Sequence, residues 1–74
     1  MNDWDVSFED RSVTHLPSSS RFWFYNQPNA NDAAGPQSMN LGSSWDSFFA
    51  SEKDICRAAT NIWRVHRGVA PLKD

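Results

Sequence analysis

A chain of 74 residues and 8.4 kDa accommodates one small domain, 1–74, and excludes two independent cores. Nine acidic and seven basic side chains leave a net charge of −2, too weak a field for a strongly basic nucleic-acid binder or an acidic DNA mimic. A single cysteine, Cys56, excludes an intramolecular disulfide and fits a reducing compartment.

The charge is unevenly spread. Asp3, Asp5, Glu9 and Asp10 make residues 1–10 purely acidic, whereas Arg57, Arg64, Arg67 and Lys73 fall in a stretch from 57 to 73 without an acid. Residues 1–20 contain no apolar run, and the longest bulky apolar stretch is Phe22-Trp23-Phe24-Tyr25. Neither a signal peptide nor a membrane span is therefore expected, and a cytoplasmic location is.

From the N-terminus, Trp4, Val6 and Phe8 alternate with Asp3, Asp5, Ser7 and Glu9, the period of a half-buried strand, which predicts a strand over 3–9. The polar residues 9–12 turn the chain, and Val13-Thr14-His15-Leu16 returns as a second strand ended by Pro17. Residues 21–25 place large rings on both faces of a third strand, and the alternation leaves open whether Phe22/Phe24 or Trp23/Tyr25 faces the core. The ring pair turned away from the core is either covered within the fold or offered to a partner.

Residues 26–43 hold two prolines and two glycines and read as a long mobile loop, with Met39 and Leu41 tacking its end onto the core. Two helix starts follow: Ser43 with Asp46, and Ser51 with Asp54, each at capping-box spacing. The first leads into Trp45, Phe48 and Phe49, and the second into a stripe of Ile55, Ala59, Ile62 and His66 flanked by Ala58 and Val65. One helix over 44–67 and two helices broken near Ala50 both satisfy this pattern. Arg64, His66 and Arg67 suit the negative end of the helix dipole, Gly68 suits a left-handed cap, and Pro71 prevents resumption, leaving a short tail over 69–74. The expected architecture is α+β: a small antiparallel meander of two or three strands packed by a C-terminal helix.

Little in the chain points to chemistry. Cys56 and His66 are ten residues apart on one predicted helix, about 15 Å along its axis, too far to share a metal ion. No Gly-x-Ser-x-Gly elbow and no phosphate-binding glycine loop occurs, so neither an enzyme, a cofactor nor a small-molecule ligand is expected. Two surfaces are left for binding. Asp3/Asp5 and Glu9/Asp10 read as a solvated strand face or as an acidic docking edge for a basic partner. Arg57, Arg64, Arg67 and Lys73 read as a solvated helix end or as a weak, salt-dependent nucleic-acid contact.

The acidic aromatic strand Asp3-Trp4-Asp5-Val6-Ser7-Phe8, the run Arg21-Phe22-Trp23-Phe24-Tyr25, the capped helix and the basic tail together have a familiar build. Across its whole length the chain resembles the small host-takeover proteins of lytic bacteriophages, among them the Xanthomonas-phage type that binds bacterial RNA polymerase. The likeness is one of build, and no family residue carries over by motif. It implies a regulatory protein that binds the N-terminal region of the polymerase β′ subunit near the RNA exit channel, inhibits σ-dependent initiation and suppresses termination. It also implies a use for each surface. Asp3, Trp4, Asp5, Ser7, Glu9 and Asp10, with Trp23, would meet a basic protein surface, and Arg57, Arg64, Arg67 and Lys73 would lie where nascent RNA emerges. An inhibitor of a host defence complex, of the anti-CRISPR type, would use the same build against another partner.

Overall fold

Among the described residues, four short strands form one antiparallel sheet in the order β1-β2-β3-β4, and one α-helix covers one of its faces. The computed structural model describes residues 3–24, 35–68 and 70–72. The strands are β1 (Trp4–Ser7), β2 (Ser12–His15), β3 (Ser20–Trp23) and β4 (Ser38–Asn40), and the helix is α1 (Glu52–His66).

Alternation in β1 places Trp4 and Val6 against the core and Asp5 away from it, as the two-residue period requires. The β1–β2 connection closes through Arg11 at φ 55°, and the β2–β3 connection through Ser19 at φ 59°, left-handed positions held by residues other than glycine. In β3, Phe22 and Phe24 beside its end are fully buried and Trp23 is turned outward, which settles the choice between the two ring pairs for the described residues. Tyr25 lies outside them.

The fourth strand lies within 26–43, the segment expected to be loop throughout. Residues 38–40 pair with 21–23 in the register Arg21↔Asn40, Phe22↔Met39 and Trp23↔Ser38. Two polar residues around one methionine carry little strand signal of their own, and β3 supplies the template. Leu41 packs on the core as expected, whereas Met39, at the sheet edge, remains 42 % exposed. Residues 26–34 of that loop lie outside the described residues.

After β4 the chain crosses the β2–β3 turn so closely that a Cβ at Gly42 would collide with the Ser18 carbonyl oxygen. The Gly42 N–H donates to Ser20 Oγ at 3.0 Å, fastening the crossing. Beyond it the two-piece helical reading holds: a one-turn 3₁₀ helix at Trp45–Ser47, then α1. The Ser43/Asp46 capping box does not form. Ser44 precedes the 3₁₀ turn without a side-chain cap, because Trp45 and Phe49 pack on the sheet before a full α-turn develops. The second start is as expected, with Ser51 Oγ accepting from the Asp54 N–H at 3.2 Å. The stop is as expected too: Arg64 and His66 occupy the last turn and Gly68 follows at φ 82°. Residues 70–72 of the tail fold back, with Leu72 N–H donating to Asn61 Oδ1 at 2.7 Å.

The core is Val13, Phe22, Phe24, Ile55, Ala59 and Trp63. Trp63 and Phe24 stack at 5.3 Å with planes 6° apart. Each fully buried ring stabilises by about 1.5–3 kcal/mol through area removed from water. Trp63 replaces His66 as the end of the helical stripe: the buried face runs Ile55, Ala59, Thr60, Trp63, and His66 is exposed. A four-residue step from Ala59 reaches Trp63, and a ring that large wins the interior position over an imidazole.

Candidate interaction surface

The helix occupies one face of the sheet, so the other is composed of residues one position out of phase with the core. Two cross-strand rows run over it, Asp5–Thr14–Arg21–Asn40 and Ser7–Ser12–Trp23–Ser38. Arg21 organises this face. Its Nε–H donates to Thr14 Oγ1 at 3.1 Å, and its guanidinium lies 5.8 Å from the centroid of the Trp23 ring. These two contacts hold the amphipathic pair in place.

Asp3 and Asp5 are exposed along β1, and Ser7 is half-buried beside Ser12. Glu9 and Asp10 lie exposed in the following turn, where Asp10 Oδ2 accepts from Ser7 Oγ and the Asp10 N–H donates to the same hydroxyl, both at 3.2 Å. Asp3, Asp5 and Ser7 therefore share the outer face with Trp23. Trp4 does not join them. It points to the helix side, half-buried, with ring centroids 4.8 Å from His15, 6.4 Å from Phe22 and 6.3 Å from Phe49. Its alternation with Asp3 and Asp5 forces this separation. Arg21, Thr14 and Asn40 complete the surface and were not singled out in the sequence, since only the strand register brings them beside Trp23.

The cations of α1 form a less uniform set. Arg57 is exposed, Arg64 donates from Nε to the Ala70 carbonyl at 2.8 Å, and Arg67 lies over the Trp63 ring at 5.4 Å. Lys73 lies outside the described residues. Arg57 and Lys53 border a surface cavity of about 180 Å³, completed by Gly35, Cys56, Thr60 and Leu72. Burial and the neighbouring Glu52 carboxylate both push the Cys56 thiol up, so it stays protonated at neutral pH, with Sγ 3.5 Å from Met39 Sδ.

One polar chain is buried on the helix side. His15 Nδ1 lies 2.8 Å from Ser18 Oγ, which lies 2.7 Å from Ser20 Oγ. Rings of Trp4, Phe48 and Phe49 surround the imidazole at 4.8–5.2 Å. Burial lowers the His15 pKa, partly opposed by Asp3. A histidine beside a serine hydroxyl has the spacing of a nucleophile and its base, but both are almost fully buried and no carbonyl can reach the oxygen. Its chemistry is to satisfy polar atoms inside the fold.

Among the described residues no group of three or more His, Cys, Asp or Glu side chains is placed to hold a metal ion. No helix among them is long and apolar enough to cross a membrane. Comparison with known proteins found no matching family model, no matching curated protein and no matching solved structure.

Proposed function

We propose that the chain is a non-enzymatic regulatory protein that acts by occupying a surface of a large host complex. One observation carries this reading: the outer sheet face, left uncovered by α1, presents exposed acids in a row beside a preorganised Arg21–Trp23 pair. Rigid aromatic and arginine groups with charged neighbours are what a protein-docking surface uses to anchor and orient a partner. In keeping with the resemblance in build, the partner is bacterial RNA polymerase, met at the β′ N-terminal region near the RNA exit channel. Inhibition of σ-dependent initiation and suppression of termination follow from occupying that position.

The test uses purified polymerase core, free of nucleic acid, mixed with the full chain and resolved by size. Co-elution in near-stoichiometric amount, lost on Trp23→Ala and on Asp3→Lys with Asp5→Lys, is the expected result. No co-elution at moderate salt overturns the polymerase reading, and the same variants can then be assayed against defence complexes. The nucleic-acid reading is weaker on geometry, because Arg64 and Arg67 are engaged with Ala70 and Trp63.

A further inference from the structure

The β1 strand is an edge of the sheet, and its backbone is half used. The Leu16 N–H donates to the Asp3 carbonyl at 2.7 Å, and the register pairs Asp5 with Thr14 and Ser7 with Ser12. In an antiparallel ladder successive residues turn their N–H and C=O groups alternately toward and away from the neighbour. Asp3, Asp5 and Ser7 therefore bond to β2, and the N–H and C=O groups of Trp4 and Val6 point out of the sheet. Neither residue has a backbone partner on that side among the described residues.

The side chains beside this edge sort by face. Asp3 and Asp5 are exposed on the outer face. On the helix face Trp4 and Val6 are half-buried, and Phe8, next in the same row, is 55 % exposed with its ring 5.7 Å from Trp63. An open strand edge accepts another strand unless its side chains forbid it. Here they forbid a second copy of this chain: the antiparallel register that satisfies all four outward groups sets Asp5 directly opposite Asp5 of the other copy. Like charges at a cross-strand pair oppose that dimer.

Resting on the docking function proposed above, we infer that the β1 edge captures an extended segment of the partner by strand addition, and that the segment alternates basic and apolar residues. Its Lys or Arg side chains lie opposite Asp3 and Asp5, and its apolar side chains extend the row of Trp4, Val6 and Phe8. The main chain supplies affinity, and the alternation supplies specificity.

The probe is a short capped peptide alternating valine and lysine, titrated into the full chain and followed by backbone amide shifts. Methylating the valine amides, which face β1 in this pairing, removes the donors and weakens binding at least about ten-fold. Methylating the lysine amides, which face away, leaves binding within about two-fold. Asp5→Lys weakens the lysine peptide about ten-fold and gains binding to a valine–glutamate peptide. Absence of binding at millimolar peptide, equal sensitivity to the two methylation patterns, or dimerisation of the chain through β1 each overturns strand addition.

The polymerase reading fails or stands separately. A correct peptide pattern with no polymerase binding removes polymerase as the partner and keeps the edge. Polymerase binding that the valine–lysine peptide does not compete away keeps polymerase and overturns capture by β1.

Discussion

The two faces of the sheet are made by the same four strands, yet they are opposite in character. On the helix side, Val13, Phe22, Phe24, Ile55, Ala59 and Trp63 exclude water completely, and His15 is admitted only with Ser18 and Ser20 to satisfy it. On the outer side, Trp23 lies between Ser12 and Ser38 with the Arg21 guanidinium over its ring, and Asp5 begins the neighbouring row through Thr14 and Arg21 to Asn40. A period of two residues lets one strand serve both, so the buried core and the proposed docking surface are separated by alternation rather than by distance along the chain. Changes on one face should therefore leave the other's property nearly untouched.

Trp63→Ala is the harshest challenge to that separation. It removes the ring that stacks on Phe24 and should cost about 3–5 kcal/mol, read as a lower urea midpoint. Gly42→Ala comes next, because the new Cβ meets the Ser18 carbonyl oxygen and the crossing over the β2–β3 turn must open. A loss of about 3 kcal/mol is expected by the same measurement, and unchanged stability would mean that the crossing is slack.

The buried imidazole gives the helix side a pH dependence. An unfolded histidine titrates near 6.5, and burial lowers the folded value, so the unfolded state binds the proton first. The folded chain therefore has its full stability from this group above about pH 6.5, loses it as pH falls through that value, and stops losing it below the folded pKa. His15→Gln should be less stable at neutral pH but show a flatter profile between about pH 7 and pH 5. Equal slopes in the two proteins would place the proton elsewhere.

Smaller effects sharpen the comparison. Ser19→Gly relieves a left-handed residue at φ 59° and should stabilise by up to about 1 kcal/mol. Asp5→Lys, on the outer face, should shift stability by less than about 0.5 kcal/mol while weakening binding of the lysine peptide about ten-fold. A large stability change there would mean that the outer face is part of the fold's support.

Much of the fold was legible because its signals are local. Alternation from Asp3 to Phe8, the Ser51/Asp54 helix start and the Gly68 stop each depend on residues a few positions apart. β4 was not legible, since Ser38-Met39-Asn40 becomes a strand only through bonds to β3. The 3₁₀ turn escaped for a similar reason: Trp45 and Phe49 have helical spacing, but their rings are claimed by the sheet. For the candidate surface, composition pointed to the acids and Trp23. The register added Arg21 and moved Trp4 to the opposite face.

The chain by itself determined the first three strands, a helix start at Ser51 and a stop at Gly68, and the segregation of its charge along the sequence, because these follow from spacing and side-chain type. Tertiary structure alone decided that Phe22 and Phe24 go inward, that Trp63 and not His66 completes the core, and that β1 is an edge. Those outcomes depend on which segment lies alongside which. No local pattern encodes that choice, and it is made by the mutual burial of rings drawn from both ends of the chain.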